Sequence, residues 1–381
     1  MSRGTPKRFA LQLLFLTVLF TPFVLPAHAS LLITPTFDSS ITSDSNAASI
    51  EGAINSAIQM FDNLYSNPIT VSIYFQEGGG LGDSNTVVYE GAYTTVYSAL
   101  VATDANPAAI AALNANGGDP FTNGFVNPEG GVNEIEIKSA NARALGFNVA
   151  PGCVVTPTGN GHSGNNVPNI CALSGSGVSV DGIVSLQTAI TDPPNSPQSS
   201  YYDLLSTAEH EIDEVLGLGS AIENCNPTSN GASTVCVDGS LNAGNNTPFG
   251  VGTLEDLYRW NAPAGGIRST LNINCSSPTS AYFEYGPNTG KIAQFNNACN
   301  GADFGDWESN PIPAGVGAQV QDAFAAPGQT PVYGQSEIDA MTAIGYTLAT
   351  PEPGTLAMFG VGLAMLAAAK RLGELKRNLP K

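Results

Sequence analysis

Apolar residues recur at helical spacing early in the chain, where Ile50, Ile54, Ala57, Ile58, Phe61 and Tyr65 fall on one face. Ser43 and Asp44 precede this run as capping residues. Asn67-Pro68 ends it, because the residue before a proline is pushed out of the α region. The period then changes to two: Ile69, Val71, Ile73 and Phe75 alternate with polar positions and predict a strand closed by Gly78-Gly79-Gly80. Further strands are expected near 86–89, 133–138 and 182–187. A second helical stripe, Leu204, Leu205, Ala208, Ile212, Val215 and Leu216, runs through 202–216. A last amphipathic helix covers 338–346, with Met341 expected in the core. The order helix, strand, more strands and helix predicts an α+β fold with a long N-terminal helix.

Both ends of the chain read as addresses. Arg3, Lys7 and Arg8 precede an apolar stretch at 9–25, and Ala27-His28-Ala29 offers an A-x-A cleavage site before Ser30, the layout of a secretory signal peptide. At the other end, Pro351-Glu352-Pro353 leads into an apolar run at 354–369 followed by Lys370-Arg371. Those 16 residues reach about 24 Å at about 1.5 Å each, short of a hydrocarbon core of about 30 Å unless the basic side chains extend to the interface. A C-terminal transmembrane helix serving as a temporary anchor is expected, with the basic end in the cytoplasm and the preceding body outside. Tripeptide, apolar run and basic cluster together resemble the PEP-CTERM tail of Gram-negative bacteria. That resemblance implies an exosortase-type sorting enzyme as partner, and an exported protein anchored transiently at the membrane and then placed at the surface or outside. The expected organisation is a signal peptide at 1–29, an exported domain at 30–350 and a sorting tail at 351–381.

Removing the two ends sharpens the charge. The chain holds 32 acids and 13 bases. Outside the termini the bases are only Lys138, Arg143, Arg259, Arg268 and Lys291, while the acids lose only Glu352 and Glu374. Nucleic acid is excluded as a favoured partner, since phosphate binding needs the opposite sign. Divalent cations, calcium among them, are attracted to such a surface, as is the solvent that keeps an acidic secreted protein dissolved.

Cysteine usage agrees with export. Cys153, Cys171, Cys225, Cys236, Cys275 and Cys299 are even in number and form no C-x-x-C, which disfavours a thiolate metal site or a redox motif. Pairing of neighbours, 153 with 171, 225 with 236 and 275 with 299, is expected because each bridge would staple a loop rich in Gly, Asn and Ser.

The chemistry concentrates in Ala208-Glu209-His210-Glu211-Ile212-Asp213-Glu214-Val215-Leu216-Gly217. His-Glu-x-x-His sets two imidazoles one helical turn apart with a glutamate between them to activate a zinc-bound water. Here His210 and Glu211 keep the first two places, and Glu214 takes the place of the second His as an oxygen donor on the same face. Glu211, Asp213 and Glu214 crowd one His on a helix without Lys or Arg, a repulsion that a cation would relieve. A third metal ligand has to come from elsewhere. Asp256, in Leu254-Glu255-Asp256, could complete a His/Glu/Asp set or instead pair with Arg259; His162, in a Gly- and Asn-rich loop, either reaches the metal or marks a solvated turn. Asp303 and Asp306, around Phe304-Gly305, suit a cleft wall, a calcium-binding turn or a plain tight turn.

Around these residues the chain resembles zincin-type, matrixin-like metalloproteases, and among them exported PEP-CTERM proteins with His-Glu-Ile-x-Glu-Val-x-Gly in place of the full motif. The resemblance implies a zincin-like domain with a small twisted mixed sheet, in which His210 and Glu214 bind zinc and Glu211 is the general base. It also implies that the strand at 181–186 is the sheet edge that holds an extended peptide substrate. Ser220 stands where the longer motif has its third His, and a glutamate in place of an imidazole weakens activation of the metal's water. A non-catalytic surface or biofilm-matrix protein held by calcium and disulfides is the alternative. Exopolysaccharide remains a possible partner, because exported proteins with this tail are often linked to it.

Overall fold

The computed structural model describes residues 30–115, 134–155, 177–192, 199–223, 236–237, 252–261, 280–285, 291–298 and 300–349, and in the tail 360, 362–367 and 370–371. Ala29–Ala349 forms one compact unit. The fold is mixed α+β. Its main sheet has four strands in the order β1 (Leu32–Phe37), β2 (Thr70–Glu77), β8 (Gly182–Leu186) and β3 (Gly82–Thr86). The first three run parallel, and β3 is antiparallel to β8. The strand expected at the sheet edge, β8, is therefore interior, and the edge belongs to β3. The chain lays β3 down first and returns 96 residues after its end to insert β8 between β2 and β3.

β1 had no counterpart among the expected strands. Pro35 interrupts its donor pattern, which an outer strand bonded on one side tolerates. The strand expected near 86–89 straddles the break between β3 and β4 (Val88–Ala92). β4 pairs with β5 (Glu134–Lys138), whose other side takes β13 (Gly252–Thr253). Small pairs complete the strands: β6 (Cys153–Val155) with β7 (Val178–Val180), β9 (Thr191–Asp192) with β10 (Tyr202–Asp203), and β11 (Ile222–Glu223) with β12 (Cys236–Val237). A meander of β14 (Arg259–Trp260), β15 (Ala281–Phe283) and β16 (Ala293–Phe295) follows.

The helices are α1 (Ser39–Thr42), α2 (Ala47–Leu64), α3 (Tyr93–Thr103), α4 (Pro107–Ala115), α5 (Ser139–Ala144), α6 (Leu204–Leu216) and α7 (Gln335–Ala343). α2 buries the predicted stripe Ile50, Ile54, Ala57, Ile58 and Phe61. It packs against β1 and against α6, which in turn lies on β3 and β8. Val71, Ile73, Phe75, Val184 and Leu186 meet both helices in one core, while Tyr74 and Ile183 alternate to the other face and pack with Val155 and Val180. Met341 on α7 is fully buried in the main core.

In the tail the described parts of the expected span, Gly360 and 362–367, are helical and exposed. No helix among the described residues is long and apolar enough to cross a membrane. Cys153 is disulfide-bonded; its expected partner Cys171 lies outside the described residues, as do Cys225, Cys275, Cys299 and His162.

Candidate metal centre

α6 starts where Asp203 accepts the Ser206 amide at 2.9 Å, and it stops at Gly217, whose φ of +147° only glycine adopts readily. Between these caps Leu204, Ala208, Ile212, Val215 and Leu216 enter the core. The helical period then turns His210, Glu211 and Glu214 toward edge strand β3. Ser84 on that strand donates to Glu214 Oε2 at 2.6 Å. Gly82 lies so close to Glu211 that a Cβ there would overlap the carboxylate. Asp213, grouped with these acids in the sequence, points away and accepts a hydrogen bond from Tyr333 at 3.1 Å.

The His210 ring lies with Nδ1 2.8 Å from the carbonyl of Val320. A carbonyl can only accept, so Nδ1 carries a proton, and in the neutral ring Nε2 presents its lone pair. That lone pair faces Glu214 Oε1 at 3.7 Å and Asp306 Oδ1 at 3.8 Å. Both distances exceed hydrogen-bond length. Two ligands each about 2.0–2.2 Å from a shared zinc can be no more than about 4.4 Å apart, so the separations fit a common ion. An imidazole held by a backbone carbonyl through its other nitrogen is the usual second sphere of a metal-binding His. Two overlapping donor groups meet here, His210 with Glu211 and Glu214, and Glu214 with Asp303 and Asp306; the donor atoms of each lie within 4.8 Å of one another.

Asp306 reaches this place because its neighbours fix the loop. Its carbonyl accepts the Asn296 amide at 2.7 Å, and Trp307 is buried against Phe283 and Phe295. Gly305 lies against the Gly219–Ser220 backbone, where a Cβ would come within 2.6 Å of Gly219 Cα. The Arg259 guanidinium donates to the carbonyl of Phe304 and pairs with Asp256 at 3.3 Å. Asp256 also accepts from Ser220 Oγ at 2.6 Å and the Ala221 amide at 2.9 Å. Asp256 is therefore not in either donor group. It takes the pairing with Arg259 and, through it, ties the turn after α6 to the loop of Asp303 and Asp306.

These groups perturb one another strongly. Burial alone would favour neutral His210, but Asp306, Glu214 and Glu211 outweigh it and raise its pKa well above the ordinary value. Burial pushes Glu214 up, yet the nearby charge of His210, with Lys138 and Ser84, brings it down to about 2. Burial and then Glu214 raise Glu211 well above a normal carboxyl, and burial does the same to Asp306 despite His210. Among the described residues, Glu211 Oε2 is buried with no hydrogen-bond partner. So many carboxylates around one imidazole demand either protons or a cation.

The centre opens into a cleft with a cavity of about 220 Å³, walled on one side by Gly82, Asp83 and Ser84 and on another by Val320, Asp322, Ala323 and Pro331. Sequence reasoning named His210, Glu211 and Glu214 and weighed Asp303 and Asp306. It missed Ser84 and Val320. Gly82-Asp83-Ser84-Asn85 holds no apolar residue to announce a strand, and a backbone carbonyl leaves no mark in sequence.

No curated protein and no solved structure matches the chain. Residues 349–371, however, match the PEP-CTERM protein-sorting motif. The chain thus carries the signal of an exported protein that an exosortase recognises at the membrane before the protein reaches the surface.

Proposed function

We propose that the unit Ala29–Ala349 is an exported zinc-dependent peptidase of the cell envelope or extracellular matrix, built on a zincin-like plan. The observation that carries this reading is the His210 ring, anchored through Nδ1 to Val320 and facing Glu214 and Asp306 through Nε2. The sheet supports it, because the helix bearing the centre lies beside an antiparallel edge strand whose outer side pairs with no other strand among the described residues.

His210, Glu214 and Asp306 would hold the ion. When bound, zinc supplies Lewis-acid polarisation of a carbonyl and makes a water acidic. Glu211 would take a proton from the attacking water and deliver it to the leaving amine. Its Oε2 has no competing partner among the described residues, which leaves it free to accept that proton. The outer edge of β3 would take an extended peptide through main-chain hydrogen bonds. Two carboxylates beside one imidazole leave the ion less acidic than an all-imidazole set would, so modest turnover is expected.

The test is cleavage of an unstructured protein substrate by the zinc-loaded chain, beside Glu211→Gln. Cleavage lost in the variant while zinc is retained supports the reading; equal cleavage by both, or cleavage by neither, removes it. A non-catalytic envelope protein stabilised by calcium has one observation of its own, the all-oxygen group Glu214, Asp303 and Asp306. In that case calcium raises the melting temperature, and Glu211→Gln changes no assay.

A further inference from the structure

Two loops supply the parts of the centre that α6 does not: one carries Asp306, and the other carries the Val320 carbonyl that holds the His210 ring. They run side by side. The Trp307 amide donates to the Gln321 carbonyl at 2.7 Å, and the Ala323 amide donates to the Trp307 carbonyl at 2.9 Å. The Gln321 side chain also touches α6, donating to the His210 carbonyl at 3.3 Å. Glu337, in the first turn of α7, is fully buried and is not part of the cleft wall. Its two oxygens act differently. Oε2 accepts from the Gly334 amide and the Ser336 hydroxyl, each at 2.9 Å, and so closes the start of its own helix. Oε1 accepts from the Trp307 indole at 3.2 Å and from the Gln321 amide at 3.3 Å, contacts that no helix cap requires. Trp307 follows Asp306, and Gln321 follows Val320. One buried oxygen therefore joins the residue after the acid donor to the residue after the carbonyl that fixes the imidazole. Only an acceptor serves there, because an indole and a backbone amide can only donate.

We propose that Glu337 is a positioning residue of the metal centre, its Oε1 fixing the spacing between Asp306 and the Val320 carbonyl and hence between Asp306 and His210. The inference goes beyond the peptidase reading and rests on the metal centre of that reading. Glu337→Gln keeps the volume but turns an NH2 group toward one pair of donors, which then lose their acceptor. Trp307→Phe is the finer probe. It removes the indole N–H, keeps an aromatic ring beside Phe283 and Phe295, and leaves the helix-capping oxygen alone.

The experiment measures zinc affinity of the full chain by chelator competition, well below the melting temperature, for wild type, both single variants and the double variant. Zinc should bind about tenfold more weakly to Trp307→Phe and about 10- to 100-fold more weakly to Glu337→Gln, the range for residues that orient ligands. The double variant should lose less than the product of the two, since both changes strike one hydrogen bond. The visible absorption bands of the cobalt-loaded chain, which report ligand geometry, should shift in each variant. A residue that only stabilised the fold would lower the melting temperature of the metal-free chain and leave zinc affinity and cobalt bands as in wild type. That result overturns the proposal, and Trp307→Phe alone decides it if Glu337→Gln does not fold. Fully multiplicative losses in the double variant overturn it as well. Weakened zinc binding in the variants with no cleavage by the wild type would sink the peptidase reading and leave the positioning role standing; cleavage by the wild type with unchanged zinc affinity in the variants would do the reverse. A wild type that binds no zinc removes both.

Discussion

Ser84 and Glu214 are joined across two elements by a hydrogen bond of 2.6 Å from the hydroxyl to Oε2. The other oxygen, Oε1, is thereby left facing His210 at 3.7 Å. The edge strand thus orients the carboxylate that stands one helical turn from His210. Ser84→Ala is expected to weaken zinc binding about tenfold, the lower end for loss of a residue that orients a ligand. Ser84→Thr should restore most of it. Chelator competition monitored at equilibrium reads the difference, and unchanged affinity in Ser84→Ala would remove this role.

Asp256 and Arg259 have no exposed side-chain surface. Removing one charge strands the other in the interior, a loss of about 3–5 kcal/mol. Asp256→Asn should therefore lower the denaturant midpoint markedly while each folded molecule still binds zinc. A variant as stable as wild type but devoid of metal would instead make Asp256 a ligand.

Acidity should act differently on the metal-free and loaded forms. Burial raises Glu255 to about 8 and Asp322 to about 7, so the folded state holds protons that the unfolded chain has released. Stability from these groups is complete below the unfolded carboxyl range, near pH 4, and is lost as pH rises through 7 and 8. Glu214, lowered to about 2, works the other way and loses its contribution only as the solution becomes strongly acid. The chelator-treated protein is expected to melt at a lower temperature at pH 8 than at pH 5. Zinc should narrow or invert that difference, because metal binding favours deprotonated ligands. A metal-free protein more stable at pH 8 than at pH 5 would contradict this.

Gly82 is a steric test of Glu211. Any Cβ at that position would collide with the glutamate, so Gly82→Ala should displace Glu211 and reduce cleavage at least tenfold, since a 1 Å misplacement can cost about 100-fold. Zinc content should stay the same. Full cleavage by the alanine variant would show that the carboxylate has room to move.

Legibility in the sequence followed physical locality. α2 and α6 were readable because each carries its own apolar stripe and stop signal, Asn67-Pro68 for one and Gly217 for the other. The donor pair on α6 was readable because one helical turn separates His210 from Glu214. Asp306 was nameable only as one of several acids, since its place depends on Arg259 holding Phe304 and on Trp307 packing among aromatic rings far off in the chain. Asp256 drew attention as a hard ligand, yet its carboxylate is satisfied by Ser220, Ala221 and Arg259. The edge strand was misplaced because β8 has the apolar run that strand rules detect, while β3 has hydroxyls, an acid and an amide that suit an outer position.

Zinc content of the purified chain, wild type beside His210→Ala, Asp306→Asn and Glu211→Gln, bears most directly on the centre. One zinc per molecule is predicted for wild type and Glu211→Gln, and close to none for His210→Ala and Asp306→Asn. Equal zinc in all four, or none in the wild type after loading, would contradict the account.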